Sequence, residues 1–211
     1  MSELLLRLTD MVIEGRFKEI AETTKAALEN GIKADEILNQ GLMPGMDYVG
    51  VEFKAGNYFV PEVLRSAKAM QESMNIIKPI LAETGSEPTG KLIIGTVKGD
   101  LHDIGKNLVI MMCEGAGFDV IDLGRDVAPE TFVEAAKQHH PDLLGMSALL
   151  TTTMLSMERT IKALKEAGVR DEVKVIVGGA PVNQDYADKI GADGYASNAA
   201  EATDLAKKLT N

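Results

Sequence analysis

The spacing of apolar residues changes once along this chain of 211 residues, and the change obliges its two parts to build different layers. From Leu4 to Leu81 the apolar side chains recur at helical intervals. Phe17, Ile20, Ala21, Thr24, Ala27 and Leu28 share one stripe, and Leu42, Met46, Val49 and Phe53 share another. Val63, Ala67, Met70, Met74, Ile77 and Leu81 follow in steps of four and three, while Gly15, Gly31 and residues 54–57 punctuate the pattern. Four antiparallel helices are the economical reading. The stretch 84–90, TGSEPTG, has no large apolar residue and many turn formers, so it reads as a linker. The expected domains are a helical one over 1–86 and a second over 87–211.

Beyond the linker the pattern becomes short apolar runs, Leu92–Thr96, Phe118–Leu123, Asp142–Ser147 and Val173–Val177, with a weaker one at Gly194–Ser197. Each of the first four precedes a helical segment. Strands alternating with helices imply right-handed crossovers and a parallel sheet covered on both faces. Five strands predict the flavodoxin-like order 2-1-3-4-5, in which the loops leaving the first and third strands diverge and open a crevice at the carboxyl edge. Those loops are Lys98–Gly105 and Ser147–Thr151.

The length permits two modest cores. A net charge of -10 without a block of Lys and Arg argues against nucleic acid or an anionic membrane as partner. Cys113 is the single cysteine, which excludes an intrachain disulfide and a cysteine-based zinc cluster and fits a reducing cytoplasm. The sequence has no basic start followed by an apolar run and no apolar stretch of about 20 residues, so a cytoplasmic protein is expected. The 11 methionines read as fillers of irregular core gaps. Cys113, the pair His139-His140 and the acidic surface read as a buried thiol, a helix end and a solvated face.

The chemistry converges on His102. Imidazole is a good ligand for a borderline transition metal, and a ligating histidine usually donates its other ring N–H to a carboxylate. Asp100, two residues earlier, is placed for that. By itself Asp-x-His-x-x-Gly is also read as a polar loop capping a helix, with Asp103 as N-cap. Spacing shifts that balance: 41 residues lie between Gly105 and Ser147, and 28 between Leu149 and Gly178.

Asp100-x-His102-x-x-Gly105, then Ser147-x-Leu149, then Gly178-Gly179 at these intervals resembles the cobalamin-binding domain of methionine synthase, corrinoid-dependent mutases and methyl-carrying corrinoid proteins. The resemblance implies a flavodoxin/Rossmann-like domain with His102 as lower ligand to the cobalt of cobalamin, held base-off/His-on. It assigns the loop Gly99, Asp100, Leu101, His102, Asp103, Ile104 and Gly105 to the corrinoid. Gly105 would let the following helix approach the sheet, Gly178 and Gly179 would clear a channel for the nucleotide tail, and Ser147 would bond the tail base. Thr151 would lie near the cofactor, and Ala199 would line the tail pocket. Thr153 would complete an Asp-His-hydroxyl relay, with threonine where methionine synthase has serine; helix capping is its other reading.

The stretch 41–70 resembles the four-helix cap over methylcobalamin, with Phe53 and Val60 at the positions of apolar side chains that shield the methyl group, though plain core packing also accounts for them. The implied function is a shuttle in which cob(I)alamin, or a related corrinoid, takes a methyl group from a substrate-specific methyltransferase. Methylcobalamin would then deliver it to a second, folate- or thiol-dependent methyltransferase. A reductive activator is a further implied partner, and residue 87 a hinge. The chain would be an incomplete enzyme alone. In resembling systems the donor is methanol, a methylamine, a methoxylated aromatic or a thiol.

Three alternatives share parts of the pattern. The small subunit of a corrinoid-dependent mutase carries the same loop, but the helical half argues against it. A cobalamin-dependent sensor or regulator uses a similar bundle, yet no basic DNA-binding segment precedes this one. A phosphoacceptor receiver needs an aspartate after the third strand, where Ser147 stands.

Overall fold

The computed structural model describes residues 2–85 and 87–210; Ser86, within the expected linker, lies outside the described residues. The chain divides into two compact units, one comprising Met1–Pro88 with Gly115–Gly117 and the other the remaining residues from Thr89. In the helical unit α1 (Glu3–Ile13) buries Leu5, Leu8, Met11 and Val12, and α2 (Ile20–Glu29) buries Ile20, Thr23, Thr24 and Ala27. These are the steps of three and four that place side chains on one helical face. A short turn, Ala34–Glu36, leads through a wide π-helical stretch, Ile37–Leu42, into α3 (Met43–Lys54). Pro44 lacks the amide that an α-helix would donate to the carbonyl of Gln40, and the helix is wide just before it.

The last helix of this unit, α4 (Val60–Thr84), starts with Pro61 in its first turn and with the Glu62 carboxylate accepting the Phe59 amide at 3.0 Å. It runs through Thr84, so the linker begins later than the sequence predicts, at Gly85 in a left-handed conformation. Val63, Ala67, Met70, Ile77 and Leu81 are buried along it. Side-chain hydroxyls tie the helices together: Ser73 on α4 meets Thr24 on α2, and Thr9 donates to the Gly41 carbonyl at 2.7 Å.

The second unit is a five-stranded, all-parallel sheet in the order β2-β1-β3-β4-β5. The strands are β1 (Lys91–Thr96), β2 (Asp119–Asp122), β3 (Leu143–Ser147), β4 (Lys174–Gly178) and β5 (Gly194–Ala196). The helices that link them are α5 (Ile104–Gly115), α6 (Pro129–His139), α7 (Met154–Glu166) and α8 (Gln184–Ile190), and α9 (Ala199–Thr210) follows β5. Both the order and the five runs agree with the sequence reading to within one or two residues. On one face Ile93, Leu144, Val175 and Val177 pack with Phe132 of α6 and Met157, Ile161 and Leu164 of α7. Burying each such side chain contributes roughly 1.5–3 kcal/mol, which is why the central strands read as uninterrupted apolar runs.

The sheet also fixes where a site can form. Thr96 and Ser147, the last residues of the neighbouring strands β1 and β3, lie side by side in register, so the two following loops start together at the carboxyl edge. Gly179 carries φ 126°, and a Cβ built on it would stand 1.9 Å from the Ala148 carbonyl oxygen, a position only glycine can take. Among the described residues no helix is long and apolar enough to cross a membrane.

Candidate functional site

The loop leaving β1 turns sharply at Gly99, whose φ of 86° brings Asp100 inward until it is almost fully buried. A carboxylate taken out of water must find donors, and Asp100 finds them on both oxygens. Its Oδ1 accepts the His102 amide at 3.0 Å and approaches the His102 ring Nδ1 at 2.7 Å. Its Oδ2 accepts the Thr153 hydroxyl at 2.7 Å and the Leu149 amide at 2.7 Å. The groups thus gathered come from the loops after β1 and β3. Because Asp100 is saturated by protein donors, neither oxygen is left to coordinate magnesium as a receiver site would require.

Burial works to raise the Asp100 carboxyl, but the Thr153 hydroxyl, the amides of His102 and Leu149 and the His102 ring outweigh it and hold the group well below the ordinary carboxylate range. Beside an ionised Asp100 the ring nitrogen Nδ1 must be the donor, so a neutral His102 carries its lone pair on Nε2. The ring is about half exposed. Among the described residues no group of three or more His, Cys, Asp or Glu is arranged to cage a metal. A metal held by His102 would therefore have to bring its other ligands, as a macrocyclic complex does.

The remaining sequence-selected residues fall as follows. Leu101 and Ile104 flank His102 and are 62% and 79% exposed, and Leu149 and Leu150 on the facing loop are also exposed. Asp103 precedes α5, and its carbonyl accepts the Asn107 amide at 2.8 Å. Ser147 ends β3 half-buried, Thr151 is exposed, and Ala199 is buried at the start of α9. Gly178 and Gly179 leave β4, and a Cβ on Gly178 would meet the Ala196 carbonyl oxygen at 3.1 Å. Phe53 and Val60 belong to the helical unit, Phe53 half-buried near the end of α3 and Val60 exposed at the start of α4. Thr153 precedes α7 but makes no side-chain cap; its hydroxyl reaches Asp100 and the Leu150 carbonyl instead.

The expectation that Gly105 allows α5 to approach the sheet fails, because a Cβ there would meet nothing within 4 Å. Gly105 leaves open space at the first turn of α5 rather than permitting a helix contact.

Sequence reasoning missed the groups that brace this loop. Lys106, one residue past the motif, is buried, with Nζ 2.7 Å from Asp122 Oδ1 and 2.8 Å from Asn107 Oδ1. Asp126 accepts the Gly99 amide at 2.8 Å. Thr96 donates to the His102 carbonyl at 3.1 Å, and Ser156 to the Lys98 carbonyl at 3.0 Å. A lysine in the first turn of α5 was the available signal; nothing local marks Asp126.

Residues 90–204 match a B12 binding domain family, and residues 4–78 match a second family of the same description. Trimethylamine corrinoid protein 1 of Methanosarcina acetivorans is 45% identical over 209 residues, covering 98% of this chain and 95% of that one. The dimethylamine corrinoid protein of Methanosarcina barkeri is 45% identical over 208 residues, covering 98% and 97%. Among solved structures, the methanol:cobalamin methyltransferase complex MtaBC from Methanosarcina barkeri superposes with TM-score 0.87 at 32% identity, covering 99% of this chain and 80% of that one.

Proposed function

The chain belongs to the B12-binding corrinoid protein family, and from that premise we propose that it carries methyl groups from a methylamine-specific methyltransferase to a second methyltransferase. The observation that carries this reading is the His102 ring, oriented through Nδ1 by a buried carboxylate that Thr153 and two amides hold in its ionised form. That arrangement suits an imidazole that would hold the cobalt of a corrinoid, base-off/His-on, and would also release it. A corrinoid bound there supplies the chemistry, accepting and giving up a methyl group at cobalt.

The protein's part is to hold and to shield. Nε2 of His102 would face the metal. Asp100 and Thr153 would fix the ring, and the ionised Asp100 beside it would couple exchange of the ligand to proton uptake. Exposed Leu101, Ile104, Leu149 and Leu150 offer apolar surface to a flat macrocycle. The open space at Gly105, with Ser147, Thr151, Gly178, Gly179 and Ala199, would accommodate the periphery and tail. Phe53 and Val60, in a helical domain taken as 1–86, would keep water from the reactive ligand. Domain 87–211 would hold the corrinoid. The names of the trimethylamine and dimethylamine relatives support a methylamine as donor; a folate- or thiol-dependent acceptor enzyme and a reductive activator complete the proposed partners.

The test is reconstitution with hydroxocobalamin. In the reduced cob(II)alamin EPR signal the wild type should show nitrogen splitting from its lower ligand, and His102→Ala should lose it. A protein that binds no corrinoid, or a variant that keeps the splitting, would overturn the assignment. Methylation of the bound cobalt by a methylamine methyltransferase tests the carrier role, and a radical rearrangement with a barrel subunit would replace it with the mutase reading.

A further inference from the structure

The loop between β2 and α6 touches the His102 loop at more points than a connection needs. Asp126 Oδ1 accepts the Gly99 amide at 2.8 Å, its Oδ2 lies 3.2 Å from Lys98 Nζ, and its own amide donates to the Asp100 carbonyl at 3.0 Å. Two residues earlier, the Gly124 carbonyl accepts the Thr96 amide at 2.9 Å. The Gly124 amide donates at 2.8 Å to Asp122 Oδ1, the oxygen that also receives buried Lys106. The β2–α6 loop is therefore fastened to the chain both before and after His102.

Asp126 holds φ 57°, a left-handed conformation in which a non-glycine residue is strained. Aspartate tolerates it better than most residues, and here the conformation lets one residue grip Gly99 with its side chain and Asp100 with its backbone. The ion pair to Lys98 is exposed on both sides and contributes little. The bond to Gly99 is different, because Gly99 is the turn that delivers Asp100 to the ring.

We propose that Asp126 is a positioning residue for His102: its carboxylate fixes the Gly99 turn, and so sets how far the imidazole reaches toward its metal. Thr153 and Asp100 orient the ring; Asp126 sets the backbone that carries it. The inference rests on the reading of His102 as a cobalt ligand.

Asp126→Gly removes the carboxylate while easing the backbone, since glycine adopts this φ freely. In the full chain reconstituted with hydroxocobalamin and reduced, Asp126→Gly should bind the corrinoid within about threefold of wild type. The ratio of nitrogen-ligated to unligated cobalt in its EPR signal should fall about tenfold, the loss expected for one hydrogen bond. Asp126→Asn, whose amide oxygen can still accept from Gly99, should restore most of the ratio. Without corrinoid, hydrogen exchange at the Gly99 amide should accelerate about tenfold in Asp126→Gly and much less in Asp126→Asn.

An unchanged ratio or unchanged Gly99 exchange in Asp126→Gly overturns the proposal, as does an Asn variant impaired as badly as Gly. Wild-type protein without nitrogen splitting removes the ligand reading of His102 and this inference with it, whereas splitting equal in wild type and Asp126→Gly removes only the role of Asp126.

Discussion

Among the described residues the helical unit buries hydroxyls but no charge, Thr23, Thr24, Ser66 and Ser73, whereas the α/β unit buries a carboxylate and an ammonium, Asp100 and Lys106. A hydroxyl inside a bundle is satisfied close at hand: Thr24 donates to the Ile20 carbonyl of its own helix at 2.8 Å and meets Ser73 on α4. A buried carboxylate is more demanding. Asp100 draws donors from His102 in its own loop and from Leu149 and Thr153, 49 and 53 residues further on, which the parallel sheet brings to the same edge. The contrast teaches that the helical unit is specified by shape, and the α/β unit by electrostatic geometry as well.

The strongest way to break that contrast is Asp100→Ala. It strands the amides of Leu149 and His102 and takes away the partner of the His102 ring, while Thr153 keeps the Leu150 carbonyl. We expect a stability loss of about 3–5 kcal/mol in denaturant unfolding and loss of nitrogen ligation in the reconstituted protein. A loss below about 1 kcal/mol would show that the buried carboxylate is no more demanding than a hydroxyl.

Next in size is a pH effect within the α/β unit. Burial pushes the Cys113 thiol up to about 11 against an ordinary value near 9, partly offset by Thr203. The folded state thus favours the protonated thiol. Its contribution is complete below about pH 9 and is lost as pH rises through about 11, amounting to about 2–3 kcal/mol. Unfolding of wild type and Cys113→Ala compared across pH 8–11 should isolate this slope, and the two proteins should diverge only above pH 9.

What the sequence disclosed follows the same division. Strand runs and their order were legible because each central strand is apolar throughout and crossover handedness leaves few topologies. The His102 motif was legible through spacing, since Gly105 falls in the first turn of α5 and Ser147 and Gly178 end β3 and β4. Asp126 and Lys106 were not, because their significance lies in contacts between loops that neither hydrophobic period nor motif records. The π-helical stretch before Pro44 was missed for another reason: it keeps the apolar spacing of a helix while changing its hydrogen bonds. The role of Gly105 was misjudged because a glycine that leaves a space and one that permits a contact look alike in sequence.

In the helical unit Ser73→Ala removes one partner of the Thr24 hydroxyl, which keeps its bond to the Ile20 carbonyl. The expected cost is about 1 kcal/mol in thermal or denaturant unfolding. A cost approaching that of Asp100→Ala would mean the bundle too depends on a polar network.

Val60→Ala should have the smallest effect on folding and so sharpens the comparison most. The side chain is 38% exposed at the first turn of α4, so truncating it without corrinoid should change stability by less than about 0.5 kcal/mol. If the helical unit contributes through apolar shape, the consequence must appear only in the loaded protein, as faster air oxidation of the reduced cobalt with nitrogen ligation unchanged. A variant that oxidises like wild type would overturn the proposed shielding role of Val60 and leave Phe53 as the residue to test. A variant that instead loses nitrogen ligation would show that the helical unit acts on His102 itself, and the division between shape and electrostatics would no longer follow the division of the chain.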